Sequence, residues 1–218
     1  MAKHELIYGL KHPTSLLANN FSYSLNGEDI IVDNLLGNVK NGFYVDLGAH
    51  HPFFYSNTLR FYLRGWHGLN VDAMPGSMKA FNRTRKRDIN VEAGISNSGE
   101  VLKFYVFEEK PLNTFDEGIA KRNIDTGHKL KDVIEVQTYG ITEILNRYIP
   151  TNQAIDFMDI DVEGFDNMII QQIDWNRYRP TIVMAEMNYK DMKPNQYLLE
   201  QGYELKTILI NTAVYARK

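Results

Sequence analysis

Four short apolar runs, each closing on an acidic residue, constrain this chain more than any other feature. Segment 43-FYV-45 leads to Asp46, 67-HGLNV-71 to Asp72, 154-AIDFMDI-160 to Asp161, and 181-TIVMA-185 to Glu186. Between them lie stretches with helical spacing of apolar residues: Leu59 with Phe61–Tyr62, 77-SMKAFNRTRKR-87, 142-TEILNRYI-149 and about Phe165 to Ile173. Strands alternating with helices predict an open, twisted, mostly parallel α/β sheet with helices on both faces. The tail, 202-GYELKTILI-210 and 212-TAVYARK-218, predicts two strands paired antiparallel across Asn211, an antiparallel C-terminal element.

Finer features follow from local chemistry. Residues 1–40 read as a helical N-terminal extension, in which Asn26 caps a helix through GEDIIVDNLLG. Ile30, Ile31, Asn34 and Leu35 form its inner face, and Gly37 is its stop. Segment 89-INVEAGIS-96 reads as one strand and feeds 100-EVLKFYVF-107 through a turn, as an edge hairpin. Residues 108–131 are polar, with weak helical signal from Asp116 to Arg122. A connection of that length inside a compact domain is a candidate lid or acceptor loop. Segment 132-DVIEVQT-138 is a further strand.

At 218 residues, with 44% apolar and 23% charged, the chain suits one domain over 1–218 with a single well-filled core. A formal charge of −3 gives no global case for nucleic acid, and the basic run 79-KAFNRTRKRD-88 reads as a solvated helix face. The absence of cysteine excludes thiolate nucleophiles and Cys-ligated metals. No window is long and apolar enough for a membrane span, and the first residues lack a signal-peptide core, so a cytoplasmic protein is expected.

In a parallel sheet, ligands bind beyond the carboxyl ends of the strands, where Asp46, Asp72, Asp161 and Glu186 all fall. Asp46-Leu47-Gly48-Ala49 gives an acid and a glycine for close backbone approach. Asp72, ending the second strand, can accept both hydroxyls of a ribose. Without G-x-G-x-x-G or a P-loop lysine, the reading is an adenosine-bearing cofactor lacking a large pyrophosphate cradle.

Taken together, FYVDLGAHHP, SNTLRFYLRGWHGLNVDAMP, RDINVEAGIS, LNTFDE, DFMDIDVEGFD and DWNRYRPTIVMAE resemble the FkbM-type family of S-adenosylmethionine-dependent methyltransferases, from about Phe43 to Met187. The resemblance implies a class I, Rossmann-like methyltransferase fold, with S-adenosylmethionine as cofactor. It also implies methylation of a hydroxyl on a sugar, glycan or small metabolite. By that resemblance Asp46, Gly48 and Ala49 lie at the cofactor's amino-acid side, Asp72 at its ribose, and Glu92 and Ala93 near its adenine. His50-His51-Pro52, where relatives carry Asn-Ile-Gly, marks a distinct subgroup.

An alcohol acceptor calls for a general base within ~3 Å. The candidates are Asp161, His51, Glu163 and Asp159, with His50 beside them. Strand alternation puts Asp159 and Asp161 on one side, Asp161 nearer the rim and Asp159 deeper, partnered by His51 or an arginine. Asp161 and Glu163 also have the spacing to hold Mg²⁺ or Mn²⁺. Asp166, one turn into the next helix, reads as a solvated surface residue. Two rival readings stand beside the methyltransferase. One is a metal-dependent nucleotide-sugar transferase using the same aspartates; the other is a cofactor-binding scaffold without turnover.

Overall fold

The computed structural model describes residues 21–97, 99–187 and 194–218. Its main sheet has seven strands: β1 (Phe43–Leu47), β2 (His67–Asp72), β3 (Ile89–Glu92), β7 (Phe157–Ile160), β8 (Ile182–Glu186), β9 (Tyr203–Leu209) and β10 (Thr212–Arg217). Their spatial order is β3-β2-β1-β7-β8-β10-β9. Parallel pairing joins β3 through β8, and β10 runs antiparallel to both β8 and β9. The sheet is the expected mostly parallel one with an antiparallel C-terminal pair. The strand order reverses between β1 and β7, the position where α/β sheets open a crevice.

Alternation of side chains across the strands builds two cores. On one face Val45, Leu47, Met158, Ile160 and Val183 pack with α5 (Ile141–Tyr148) and α6 (Asp166–Gln172). On the other, Tyr44, Phe157, Ile182, Met184 and Val214 pack with α1 (Glu28–Leu36) and with Phe61 of α2 (Leu59–Leu63). Helices therefore cover both faces, as the apolar runs require. The remaining helices are α3 (Met78–Thr84), α4 (Glu117–Asp125) and α7 (Gln196–Glu200).

Several local expectations are corrected. Residues 1–20 of the expected helical extension lie outside the described residues. Helix α1 is capped by Gly27, at φ 93°, rather than Asn26, and its buried positions are Glu28, Asp29, Val32 and Leu36. The inner face is turned because Asp29 accepts hydrogen bonds from the Ser22 and Ser24 hydroxyls (2.6 and 3.0 Å) and the Tyr23 N–H (3.0 Å). The stretch 89–96 is two strands rather than one. Ala93 donates its N–H to the Asp72 carbonyl, and β4 (Gly94–Ser96) departs to a second sheet of order β4-β6-β5. Strand β5 (Val101–Phe107) is an edge strand, but its antiparallel partner is β6 (Leu130–Gly140), not the strand before it. A hairpin to β4 is precluded because β4 pairs in parallel with the end of β6, Gly94 opposite Thr138. The 108–131 connection contains a 3₁₀ turn, Lys110–Leu112, and α4, whose N-cap Asp116 accepts from the Ile119 N–H at 2.8 Å.

The basic run also departs from a solvated face. Arg85 is wholly buried, with Nε 2.9 Å from the buried Asp88 carboxylate and Nη2 donating to the Tyr44 hydroxyl at 2.8 Å. The same Nη2 donates to the Thr58 hydroxyl at 3.1 Å, and Nη1 to the Pro52 carbonyl at 3.3 Å. Asp88 in turn accepts from the Gly68 N–H and from Asn70 Nδ2, both at 3.0 Å. Removing one member of a buried ion pair strands the other's charge. Arg85→Met is therefore expected to cost about 3–5 kcal/mol of folding stability. Urea unfolding measures it, and a loss below ~1 kcal/mol, the worth of a surface pair, would deny the network its structural role.

Candidate functional site

The cleft opens at the carboxyl ends of β1, β2 and β7 and has a volume of about 700 Å³. Its floor is set by a glycine. Gly48 follows β1 at φ 91°, and a Cβ there would lie 1.7 Å from the Asp161 carbonyl oxygen. The β1 loop and the end of β7 can close to this distance only without a side chain. The loop is pinned by the Gly48 and Ala49 N–H groups donating to the Val71 carbonyl at 2.9 and 3.0 Å, and by the Asp161 N–H donating to the Leu47 carbonyl at 2.9 Å.

Register explains how the acids meet. Asp46 and Asp159 are direct partners across β1 and β7, and both point to the face of Tyr44 and Phe157. There the segment before α2 supplies neutral donors. The Thr58 hydroxyl donates to Asp46 at 2.7 Å and Asn57 Nδ2 to Asp159 at 2.7 Å. The expected partner of Asp159 was His51 or an arginine; it is Asn57. Burial raises the pKa of Asp46 to about 6, restrained by the Thr58 hydrogen bond and the Arg85 charge. Burial and then the Asp46 and Asp161 charges push Asp159 well above the usual carboxylate range.

Asp72, at the end of β2, accepts the His50 and Met74 N–H groups, each at 2.9 Å. One bond to each oxygen leaves both with acceptor capacity toward the cleft. Burial raises its pKa, and those two bonds oppose the rise. His50 sits at φ 51°, a left-handed conformation that the Asp72 bond holds. His51 Nδ1 accepts the Phe53 and Phe54 N–H groups at 3.1 and 3.2 Å, which makes Nε2 the protonated nitrogen of the neutral ring. Enclosure first, then nearby Lys110, lowers its pKa. The same enclosure, with His51 and Lys110, lowers that of His50.

Around β7 the outcome is mixed. Asp161 is exposed to the cleft, yet protein walls and the Asp166, Asp46 and Glu28 charges push its pKa up to about 7, enclosure being the largest cause. Asp166 is not a solvated surface residue. It is buried, and it accepts the Val162 and Gly164 N–H groups at 3.3 and 3.1 Å, because Gly164, at φ 107°, turns the chain back over it. Burial and then Glu186 raise its pKa to about 7. Glu163 lines the cleft at φ 52°. The carboxylates that crowd Asp161 are, however, Asp166 and Glu186, all within 4.8 Å of one another. Asp161 thus has Asp166 and Glu186 beside it in a group of carboxylates close enough to share an ion. The oxygens of this group suit a hard cation, and the raised pKa values of Asp161 and Asp166 reduce its charge without one.

The structure brings together Asp46, Gly48, Ala49, Asp72, Ala93, Asp159, Asp161, Glu163, His50 and His51 on one cleft. Glu92 stands outside that lining, with its carboxylate accepting the Gly76 N–H at 2.7 Å. Asn57 and Thr58 were missed. Their only signal is a polar pair directly before an apolar helix. The 108–131 connection contributes Lys110, Pro111, Leu112, Asn113 and Phe115 to one wall.

A family model described as the methyltransferase FkbM domain matches residues 46–205. The chain belongs to this family. An FkbM-type domain is a methyltransferase that uses S-adenosylmethionine, which displaces the nucleotide-sugar transferase reading. No curated protein matches the chain. Among solved structures, a TehB-like SAM-dependent methyltransferase from Corynebacterium glutamicum is similar at a TM-score of 0.46 and 13% identity, covering 99% of this chain and 98% of that one. A SAM-dependent methyltransferase from Aquifex aeolicus is similar at 0.37 and 10%, covering 88% and 91%.

The residues of this FkbM-type domain fit the cofactor. Gly48 permits a close backbone approach, Asp72 keeps acceptor capacity, and Ala93 and Ile95 give an apolar wall, a set compatible with an adenosine-bearing cofactor. The acids around the cleft suit its positive charge.

Asp46, Asp72, Asp159, Asp161 and Asp166 bind protons more tightly in the folded chain than in the unfolded one. The folded state therefore carries extra protons between ~pH 4 and ~pH 7, and stability falls as pH rises through that window. His50 and His51, with lowered pKa values, act in the opposite sense below ~pH 6.5. Without cofactor, the thermal midpoint is expected to rise as pH is lowered from ~8 to ~6.5, and Asp161→Asn should flatten that slope. A midpoint that falls over the same interval would contradict the raised carboxyl pKa values.

Proposed function

We propose that the chain methylates a hydroxyl of a sugar, glycan or small hydroxylated metabolite. The observation that carries this reading is Asp161: a carboxyl at the cleft rim, next to the cofactor residues, with a pKa of about 7. A base serves best when its pKa lies near working pH. The bound cofactor supplies an electrophilic methyl group on sulfur. Asp72 holds the ribose, while Asp46, Gly48 and Ala49 hold the amino-acid side. Asp161 would accept the hydroxyl proton as the acceptor oxygen takes the methyl group, whose bond to the cofactor's sulfur would break to leave a neutral thioether. Asp159, fixed by Asn57, keeps the floor polar beneath it. Glu163 and His51, on the same wall, orient the acceptor. The proposed setting is the cytoplasm; among the described residues no helix is long and apolar enough to cross a membrane.

Two variants separate the halves of the site. Asp72→Ala should weaken S-adenosylmethionine binding by ~1.5–3 kcal/mol, the range for hydrogen bonds to a charged group. Asp161→Asn should leave that affinity nearly intact. Below the pKa of Asp161 the carboxyl is protonated and cannot accept a proton, so the methylation rate should rise with pH through about 7. Asp161→Asn should remove that rise and lower the rate ~10²-fold. Calorimetry with the cofactor and single-turnover rates, on an acceptor found by mass spectrometry of labelled cell extract, provide the measurements. Normal turnover in Asp161→Asn would sink the base assignment, and tight cofactor binding with no methylated product would leave a scaffold.

We also propose that the 108–131 connection closes over the acceptor, since its Lys110–Asn113 turn already walls the cleft. Amide hydrogen exchange should slow in this segment when cofactor is added. Equal exchange with and without it would defeat the lid.

A further inference from the structure

On the opposite edge of the sheet, at the amino ends of β7 and β8, lies a second pocket of about 220 Å³. Arg177, Arg179 and Arg217 line it, together with Thr181 and Asp156. All three arginines are exposed, and none forms an ion pair among the described residues. Three like charges around so small a space repel one another, and on a chain of formal charge −3 nothing global demands them.

Their side chains are held in place by neutral groups. Arg177 Nη1 donates to Asn146 Oδ1, and its guanidinium lies 5.0 Å from the Tyr178 ring centroid. Arg179 Nη2 donates to the Gln201 carbonyl at 3.2 Å, and Arg217 Nη1 to the Arg179 carbonyl at 3.2 Å. The backbone is equally fixed, with the Thr181 N–H donating to the Ile155 carbonyl at 3.1 Å and the Arg217 N–H to the Thr181 carbonyl at 2.9 Å. Each guanidinium uses one of its five N–H donors in these bonds and has others to offer. The one acid in the lining, Asp156, accepts the Phe43 N–H at 2.9 Å and is committed to the sheet. The pocket thus combines preset donors, three guanidiniums against one carboxylate, and room for a compact anion. Guanidinium forks match tetrahedral oxyanions in geometry.

We propose that Arg177, Arg179 and Arg217 form a binding site for a phosphate group, separate from the methyl-transfer cleft. The strand β7 lies between them: Ile155 and Asp156 precede it at this pocket, and Asp161 follows it at the cleft. With the strand between the two sites, occupancy here is expected to leave cofactor binding unchanged. The phosphate is either free or carried by a phosphomonoester, and the two sources share the same recognition chemistry.

Calorimetry and arginine side-chain NMR on the intact chain test the site, with inorganic phosphate and glycerol 3-phosphate as probes at low salt. The expected result is saturable binding that shifts the Nε signals of Arg177, Arg179 and Arg217, weakens as salt is raised, and is unchanged by saturating S-adenosylmethionine. Arg177→Gln and Arg179→Gln should each weaken binding about tenfold or more, the loss of a charge-assisted hydrogen bond, with thermal midpoints near that of the parent. Tighter binding of the ester assigns the site to a phosphorylated molecule, and equal binding assigns it to the free anion. Absence of saturable binding, shifts confined to arginines outside this pocket, displacement by the cofactor, or full affinity in both variants would overturn the proposal. The NMR readout on the unmodified chain decides the matter even where a variant fails to fold.

Discussion

The buried guanidinium of Arg85 is the interaction on which the site's architecture depends. It reaches Tyr44 on β1, Thr58 before α2, the Pro52 carbonyl in the β1 loop and Asp88 before β3. Asp88 extends the same network to Gly68 and Asn70 on β2. No apolar contact could fix so many separate segments with such directional demands, because dispersion has little orientation preference while a guanidinium fork has a fixed one. The cost is desolvation of a charge pair, which only full satisfaction of its donors offsets. What it secures is Thr58, whose hydroxyl lies between Arg85 and Asp46 and passes the orientation on to the cleft.

That arrangement accounts for a cleft containing several carboxylates in a protein with an ordinary core. The acids come from ladder register, from the strand ends and from a glycine turn. Burial, with neighbouring carboxylates adding to it, raises the pKa of Asp46 to about 6 and those of Asp161 and Asp166 to about 7. A positive sulfur placed among these carboxyls would favour their ionised forms and pull their pKa values back down.

The parts legible in the sequence are those with a local cause. The alternation of strands and helices follows from the spacing of apolar residues, and the rim position of Asp46, Asp72 and Asp161 from where the apolar runs end. The close approach at Gly48 follows from a glycine directly after a strand. The parts that were not legible depend on partners distant in the chain. Arg85 stands in a run of bases that reads as a solvated face, and only Asp88 beneath it, Tyr44 41 residues away and Thr58 27 away draw it inward. Asp166 looks like a helix-start acid until the left-handed Gly164 places two N–H groups over it. The split at Ala93 comes from the competition of β6 for Gly94–Ser96, which no window of the sequence contains.

Seen along its strands, the sheet has a charge polarity that the formal charge conceals. Carboxylates gather where β1, β7 and β8 end, and guanidiniums gather where β7 and β8 begin. Strand dipoles are too small to impose this, so side-chain placement alone sets it. With charges of opposite sign at opposite edges, each edge attracts the ligand that the other repels. A cationic cofactor is drawn to the crevice at the switch point, and an anion to the arginine pocket. The two can be held together without competition because the strands and the core between them keep their charges apart.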